Sequence, residues 1–506
     1  MKFEYPLIAV IGILVAIIIG ISISEDTTQT DVIIEQEIGQ EVFETRIGTL
    51  ALQADYPTFE TQKTLEDELF YQRAVQVYLL SLPAIAGAGL FDEFDEAGVL
   101  SGDIVYWSDF MTSDNVVATA NRSVLYSLSF LDLSEGPMVI DVPGGLYGAV
   151  NNLYQQPVTD IGPTGPDKGE GGIFLILPPE YDGEIPEGYF VAQSDTLQSF
   201  FMARGSAPNG DTSIGIQQIK GAKIYKLSEV ENPPTQKFVD MWGKPFDMMH
   251  PTTDGFWEFL HKVYSKETIV RPEDKLLIGL MHTIGIVPGE SFEPDEHSKK
   301  LLDEAAIVGN FMMKNLAFNS PHKQNFIVYP GYSNWEFLFQ TSNPSFVDEQ
   351  GIPLIDQRNT FVHQAATTSD GMTLKNVGVG SQYIITFRDG TGEWLDGSNL
   401  YNLHLPADVP VVNFWSAIVY DVETRSMLKN GVQPTPGLNS LDADNYIQNS
   451  DGSYDLYFGP EPPEGYESNW IKTNEDDGFF IYFRFYGPTE AFFDKSWQLP
   501  NIELIK

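Results

Sequence analysis

Apolar and polar positions alternate over short segments in two parts of the chain, which predicts two β-rich regions. Between about residues 100 and 228, β-branched and aromatic segments such as VLYSLSF and GYFVAQS are separated by Gly and Pro. After residue 325 the pattern returns, most clearly in VVNFWSAIVYD and FFIYFRFYGP. Short strands at this spacing are typical of antiparallel sandwiches or barrels, and no helix long enough for a parallel crossover separates the first set.

Apolar residues at helical spacing predict helices before and between these regions. A first helix is expected from Thr64, as its N-cap, to Pro83, which would end it. In residues 235–320, the segments DGFWEFLHKVY, RPEDKLLIGLMHTIG and DEHSKKLLDEAAIVGNFMMKNLAF are typical of three more helices. The patterning therefore predicts a mainly β protein, with two antiparallel β domains joined by a helical segment.

The first residues predict a membrane-spanning helix or a signal peptide. Pro6 to Ile23 is an uncharged run of 18 residues, about 27 Å long as a helix, which is close to the thickness of the hydrocarbon core. Lys2 precedes the run and acidic residues follow it, so the remainder is expected outside the cytoplasm. The run is longer than a usual signal core, which favours a retained anchor over cleavage after Ser24 and secretion.

Composition narrows the class of protein further. The chain has 71 Asp and Glu against 29 Lys and Arg, and its net charge of -42 repels phosphate backbones, which argues against nucleic-acid binding. It has no cysteine, which excludes disulfides, thiolate metal sites and Cys nucleophiles. A length of 506 residues requires more than one core.

The predicted organisation has five parts. They are an anchor or signal peptide at 1–24, an acidic tether at 25–60, an N-terminal β domain with its leading helix at 61–234, a helical linker at 235–323 and a C-terminal β domain at 324–506.

Several C-terminal segments resemble the family called domain of unknown function 1214. They include DGTGEWLDGSNLYNLHLP at 389–406, FWSAIVYDVETRSML at 414–428 and FFIYFRFYGP at 479–488. NRSVLYSLSFLDLSEGPMVIDVP at 121–143 and GGIFLILPP at 171–179 resemble its companion, domain of unknown function 1254. The chain departs from these families at Arg122-Ser123, where an acidic residue is frequent, and at Ile471-Lys472, where Leu-Pro is frequent.

The resemblance implies two jelly-roll-like β-sandwich domains in an exported or envelope-associated protein. It also implies a homo-oligomer, with a trimer as the suggested state. It implies no particular chemistry.

One segment gathers the residues of a candidate catalytic site. Arg358, His363 and Tyr383, with Arg388 as a ligand-binding residue, bring donors and a titratable base into residues 358–390 of a cation-poor protein. The alternative is that both arginines pair with surface carboxylates and that His363 lies at a strand edge. The seven histidines include no pair spaced i, i+4, which excludes a local HExxH zinc site, and no GxSxG elbow or P-loop is present.

Two further strands suggest binding residues or packing. Tyr482 and Arg484 share one face of FFIYFRFY and could present an aromatic platform to a sugar or another ligand, although interdomain packing is the favoured explanation. After the strand at 411–421, Asp421 and Arg425 are expected to form an ion pair that closes a turn.

No cofactor is predicted, and calcium is the single metal that any segment suggests. Oxygen ligands cluster in DADNYIQNSDGSYD at 442–455 and in NEDDG at 474–478, but neither has EF-hand spacing and both are typical of turns.

Two functions remain open. The first is a membrane-tethered, self-associating binding or structural module whose small-molecule or glycan ligand is unknown. The second is a hydrolase or related enzyme that acts on a small extracellular ester, lactone or glycoside in a cleft between the domains.

Overall fold

A computed structural model of the protein describes residues 40–505 except Ala97, Ile269, His322 and Leu374. The predicted anchor at Pro6–Ile23 lies outside the described residues. Within them, one helix, Phe59–Asp95, is long and apolar enough to cross a membrane by length and composition, and 72% of its most apolar window is buried. Burial of this kind is also found in the core helix of a folded domain, so this helix gives only weak support for a membrane span.

The described residues divide into two compact units, one that ends at Glu68 and one that begins at Leu69. In the first unit, residues that the sequence assigned to a tether form a three-stranded antiparallel sheet. Its strands are β1 (Gln40–Thr45), β2 (Gly48–Gln53) and β3 (Tyr56–Pro57).

The first helix, α1, spans Phe59–Glu96 and continues through Pro83. The prediction that it starts after Thr64 and ends at Pro83 was therefore wrong. Apolar residues beyond the proline, such as Ile85, Leu90 and Phe94, are buried in the largest hydrophobic cluster. Their burial offsets the backbone hydrogen bond that a proline removes from a helix.

A side chain from another helix replaces the missing hydrogen bond. A proline at position 83 leaves the carbonyl of Leu79 without its usual N–H partner four residues on. Asn359, which is 1% exposed, donates its Nδ2 to that carbonyl at 2.9 Å. The helix therefore passes the proline without leaving a buried acceptor unpaired.

The N-terminal β-rich part of the second unit forms a six-stranded and a four-stranded sheet, plus a two-stranded pair. In chain order the elements are β4 (Ile104–Tyr106), β5 (Asn115–Val116), β6 (Leu125–Asp132), β7 (Met138–Pro143), β8 (Tyr147–Asn152), β9 (Pro157–Ile161), β10 (Gly171–Leu177), β11 (Phe190–Gln193), β12 (Gln198–Gly205), α2 (Ser213–Gly221), β13 (Lys223–Lys226), β14 (Phe238–Asp240) and β15 (Phe246–Asp247). The strand order is β14-β4-β6-β12-β8-β9 in the larger sheet and β11-β10-β7-β13 in the smaller one.

Three helices follow, as the sequence predicts. They are α3 (Phe256–Tyr264), α4 (Pro272–Thr283) and α5 (Glu296–Asn319). Pro272 occupies the first turn of α4, and Asp295 caps α5 by accepting from the Ser298 N–H at 2.7 Å.

The C-terminal part forms a five-stranded and a four-stranded sheet. In chain order the elements are β16 (Glu336–Phe337), α6 (Ile355–Gln364), α7 (Asp370–Thr373), β17 (Ser381–Thr386), β18 (Tyr401–Leu405), β19 (Val411–Asp421), β20 (Gly437–Asn439), β21 (Tyr454–Gly459), β22 (Trp470–Lys472), β23 (Phe479–Pro488), α8 (Glu490–Phe493) and β24 (Glu503–Leu504). The strand order is β16-β17-β23-β19-β20 in the larger sheet and β22-β21-β18-β24 in the smaller one.

The prediction of several β-sheets is confirmed, but helices contribute as much as strands, with 27% and 28% of the chain respectively. Most strand pairs are antiparallel, and the parallel pairs are short, as in β10 with β11 and β21 with β22. The label mainly β therefore understates the helical content.

Period-two alternation gives the central strands of the two larger sheets two different apolar faces. In β12, Phe201 and Ala203 belong to a cluster shared with the four-stranded sheet, whereas Phe200 and Met202 face the helices. In β23, Phe483 and Phe485 belong to the C-terminal cluster, whereas Phe480 and Tyr482 join the helices. Both larger sheets therefore pack against one helical layer built mainly from α1, α3, α4, α5 and α6.

The pairing of Asn359 with the Leu79 carbonyl predicts a specific coupling energy. Asn359→Ala should lower the free energy of unfolding by about 1 to 3 kcal/mol, because it leaves an enclosed carbonyl without a donor. In a Pro83→Ala background the restored N–H supplies that donor, so the same change should cost clearly less. A double-mutant cycle by chemical denaturation measures the difference. Equal losses in both backgrounds would contradict this role for Asn359.

Candidate functional site

A cavity of about 400 Å³ lies where the six-stranded and five-stranded sheets approach each other. Its volume is within the range of small-molecule sites. Both sheets supply wall residues, and the segments 117–121 and 365–372 complete the wall. Apolar side chains such as Leu128, Met202 and Leu338 form most of the surface, and two arginines, Arg204 and Arg484, interrupt it.

Strand register places Arg204 in a row of tyrosines. On β12, Arg204 lies directly opposite Tyr126 of β6 and Tyr147 of β8. Directly opposite residues of an antiparallel sheet point to the same face, so the three side chains form one row. The guanidinium of Arg204 lies 5.6 Å from the centre of the Tyr126 ring, and all three residues line the cavity.

The five-stranded sheet presents a matching row. On β23, Arg484 lies directly opposite Tyr383 of β17 and Ser416 of β19. Two residues further along, Tyr486 lies opposite Phe414, and their rings stack with centres 4.0 Å apart. Except for Ser416, these residues line the cavity, so each larger sheet contributes one arginine flanked by aromatic rings.

Arg484 is buried without a carboxylate partner. It is 3% exposed, and its guanidinium lies 5.1 Å to 5.8 Å from the ring centres of Tyr482, Tyr420 and Tyr383. Its Nη2 donates to the Thr119 carbonyl at 2.8 Å, whereas its buried Nη1 has no hydrogen-bond partner. A buried cationic donor without an acceptor is costly, and an acceptor from a bound molecule would remove that cost.

Tyr147 and Tyr486, which lie close to the arginines, are neutral hydrogen-bonding groups near pH 7. Burial raises the pKa of Tyr147 to about 12, although the nearby Arg204 opposes the shift. Burial also raises the pKa of Tyr486 well above its usual range, again against the effect of Arg484. The phenols can therefore donate hydrogen bonds to an anion and do not act as bases.

Two threonines in the cavity wall have left-handed backbone conformations. Thr119 has φ of 47° and Thr367 has φ of 66°, values that are strained for β-branched residues. The Thr119 N–H donates to the carbonyl of Arg425 at 2.8 Å, and the Thr367 N–H donates to Gln155 Oε1 at 2.8 Å. Contacts across the two β-rich parts thus hold both strained residues at the cavity, as is common at functional sites.

A buried carboxylate, that of Asp160, lies behind two other residues of the cavity wall. Asp160, which is 6% exposed, accepts a hydrogen bond from Thr164 Oγ1 at 2.6 Å and another from the Gly371 N–H at 3.1 Å. Thr164 and Gly371 line the cavity, whereas Asp160 lies behind them. Burial raises the pKa of Asp160 in spite of these hydrogen bonds. Asp160 therefore positions wall residues from both β-rich parts.

The structure brings together three of the six residues that the sequence selected. Tyr383, Tyr482 and Arg484 line the cavity. Arg388 instead lies with its guanidinium 3.4 Å from the centre of the Trp394 ring and donates to the Gly392 carbonyl, at a turn outside the cavity wall.

The other two, Arg358 and His363, lie on helix α6 and do not line the cavity. The expectation that His363 lies at a strand edge was wrong, because a buried helix holds it. Polar side chains of this helix complete the end of α5: Thr360 donates to the Leu316 carbonyl and Gln364 to the Ala317 carbonyl. Carbonyls in the last turn of a helix lack internal partners, which gives this polar, buried segment a structural role.

His363 is enclosed, and its neighbours are cations and aromatic rings. Its ring packs edge-on against Phe318, and its Nε2 is buried without a hydrogen-bond partner. Burial lowers its pKa well below the usual value, and Arg425 and His250 lower it further. A catalytic role for His363 stays an untested prediction. Tyr383 lines the cavity described above, whereas His363 does not.

The predicted ion pair between Asp421 and Arg425 does not form. Asp421 accepts from the N–H and the hydroxyl of Thr424, at 2.6 Å and 2.8 Å. Arg425 turns inward, is 6% exposed, and donates its Nε to the His363 carbonyl at 3.0 Å. Its left-handed φ of 57° directs the chain into the core, where its carbonyl accepts from Thr119.

Sequence reasoning missed Arg204. The signal was present, because Arg204 is a lone cation in the apolar segment QSFFMARG, as Arg484 is in FFIYFRFY. Tyr126 and Tyr147 were also missed, because their position beside Arg204 depends on strand register that one sequence does not give.

No group of three or more His, Asp or Glu residues suited to a metal ion occurs among the residues that the structure describes. In the segment proposed for calcium, Asp451 accepts from the N–H and the hydroxyl of Ser453, at 3.0 Å and 2.6 Å. These bonds are those of an ordinary turn. Calcium binding there stays a prediction.

Family models match the chain in the predicted order. Residues 102–225 match the model described as protein of unknown function DUF1254, and residues 380–490 match the one described as protein of unknown function DUF1214. The resemblance identified in the sequence is therefore confirmed, and the chain carries both family segments. Arg204 lies within the first segment and Arg484 within the second.

Two solved structures resemble the fold loosely. A crystal structure of a protein from Vibrio parahaemolyticus has 19% sequence identity and a TM-score of 0.49, and the match covers 86% of this chain and 100% of that one. An uncharacterised protein from Burkholderia cenocepacia has 11% identity and a TM-score of 0.37, covering 88% and 97%. Neither likeness supports an argument about function. Among curated proteins, none matches the chain.

The buried histidines predict a loss of stability in acid. Burial, together with Arg425, lowers the pKa of His250 to about 4, and His363 shifts in the same direction. The unfolded chain therefore binds more protons between about pH 6.5 and pH 4, so the stability present above this range is lost as the pH falls. The maximal slope is about 1.4 kcal/mol per pH unit for each histidine.

The measurement is the free energy of unfolding of the wild type minus that of His363→Leu, followed across this pH range. This difference should fall as the pH falls, because only the wild type carries the histidine. Leu276→Gln, which changes an exposed residue of α4 and removes no titratable group, is the control and should give a flat difference curve. A flat curve for His363→Leu as well would refute the assignment.

Proposed function

We propose that the protein binds a small organic acid in the cavity between its two larger sheets. The observation that carries this proposal is the buried Nη1 of Arg484, which lines the cavity and has no acceptor. Charge-assisted hydrogen bonds to a carboxylate are among the strongest polar contacts that an arginine makes. The apolar wall around it fits the hydrocarbon part of the same molecule.

The composition of the protein makes the missing carboxylate informative. With 71 acidic and 29 basic residues, an arginine has many potential carboxylate partners, and exposed residues such as Arg46 and Lys237 form such pairs. Within the described part of the chain, neither Arg204 nor Arg484 has one. None of the described residues that line the cavity is acidic, so a bound anion would face cations and neutral groups there.

The same wall favours binding over turnover. Histidine and carboxylate side chains, the usual general bases, are absent from the described wall residues. Tyr147 and Tyr486 retain their protons near pH 7. A hydrolase would have to obtain its base from another source, so a binding module is the better supported of the two functions.

We further propose that each β-rich part is a jelly-roll-like sandwich and that the N-terminal segment tethers them outside the cytoplasm. Two apolar clusters support the sandwiches, since each cluster contains residues from one larger and one four-stranded sheet. The uncharged run Pro6–Ile23 supports the tether.

Deletion of residues 1–24 should release the protein from membranes in carbonate extraction, and retention would count against the tether. Self-association as a trimer rests on the family resemblance alone.

Calorimetric titration with benzoate, and with benzamide as its neutral analogue, tests the proposed ligand class. Benzoate should bind the full-length protein and benzamide should bind much more weakly, because only the carboxylate can pair with Arg484. Arg484→Gln should weaken benzoate binding about tenfold to a hundredfold, the loss expected for a charge-assisted hydrogen bond.

Two controls keep the result interpretable. Arg388→Gln removes an arginine outside the cavity and should leave binding unchanged. Tyr383→Phe keeps the ring beside Arg484 and removes one hydroxyl, so it tests the wall without removing a buried charge. Equal binding of benzoate and benzamide, or full binding by a folded Arg484→Gln protein, would overturn the proposal.

A further inference from the structure

The cavity contains two unpaired cations, and one carboxylate would neutralise only one of them. Arg204 comes from β12 and Arg484 from β23, so the two charges enter from different sheets. The wall of one cavity contains both arginines together with Tyr126, Tyr383 and Tyr486. Both cations therefore belong to one site.

The two arginines occupy separate aromatic surroundings. The Arg204 guanidinium contacts the Tyr126 ring, whereas Arg484 lies among Tyr383, Tyr420 and Tyr482. Aromatic rings stabilise a cation but do not neutralise it. In the described residues, the Arg204 side chain forms neither an ion pair nor a hydrogen bond, so its donors are also available to a ligand.

We infer that the ligand is a dicarboxylate, a molecule with an apolar body and two separated acidic groups, one for Arg484 and one for Arg204. This inference rests on the proposed function and specifies its ligand class. Two like charges that share a water-poor cavity repel each other, and a dianion removes that repulsion as well as the unpaired donors. The apolar part of the cavity wall, including Leu128 and Met202, would contact the body of the molecule.

Phenol hydroxyls supply additional donors at both ends. Tyr126 and Tyr147 flank Arg204 directly across the strands, and Tyr383 flanks Arg484. A carboxylate has two oxygens that can accept several hydrogen bonds, so an arginine with a neighbouring phenol suits one carboxylate. Arg204 is thus assigned as the residue that distinguishes diacids from monoacids.

Calorimetric titration of the full-length protein with benzoate and with the three benzenedicarboxylates provides the test. The dicarboxylates vary the separation of the charges, and phenyl phosphate places two charges on one group. At least one dicarboxylate should bind about tenfold or more tightly than benzoate. Arg204→Gln should abolish this preference, while Arg388→Gln, outside the cavity wall, should leave it intact. Thermal melts confirm that each variant is folded.

The outcomes separate this inference from the proposed function. Binding of benzoate with no preference for any dicarboxylate would overturn the inference and leave the proposed function standing. Failure of every acid to bind would overturn both. A preference that survives in folded Arg204→Gln protein, or a preference for phenyl phosphate over all dicarboxylates, would overturn the assignment of two separated carboxylate positions.

Discussion

Polar groups buried between the two β-rich parts must find partners across that boundary, because little water reaches them. Arg484 donates to the Thr119 carbonyl at 2.8 Å, Tyr420 donates to the Ala120 carbonyl at 2.6 Å, and Asn151 donates to the Thr368 carbonyl at 2.8 Å. Each bond is modest in net free energy, but a missing partner would cost about 1 to 3 kcal/mol. This requirement fixes the two parts relative to each other, and the cavity is the space that remains between them.

The same requirement explains the unusual backbone at the cavity. Thr119 and Thr367 remain in strained conformations because their N–H groups are held by Arg425 and Gln155. If the strain were relieved, the carbonyl that positions Arg484 would move. The structure thus holds a buried cation at a defined position and leaves one of its donors free, which is the preorganisation that a binding site requires.

Period-two patterning allowed much of the sheet structure to be predicted. The strands at 411–421 and 479–488 follow directly from alternation, and with them the shared face of Tyr482 and Arg484. Strand register was not predictable, so the rows that place Tyr383 beside Arg484 and Tyr126 beside Arg204 became visible only in the structure.

Local rules failed where tertiary contacts override them. Pro83 would end an isolated helix, but Asn359 supplies the hydrogen bond that the proline removes. Helix α6 has too many polar residues to be recognised as a buried helix, and its amide and hydroxyl side chains donate to carbonyls of other helices. Arg425 was expected to pair with Asp421 at a turn, yet its left-handed backbone turns it into the core.

A crystal structure of the protein with a bromine-labelled benzoate tests the central claim most directly, because anomalous scattering locates the label without ambiguity. The account predicts the bromine in the cavity between the two larger sheets, with the carboxylate accepting a hydrogen bond from Nη1 of Arg484. A label bound elsewhere beside an empty cavity, or an Nη1 already paired with a carboxylate of the protein, would contradict it.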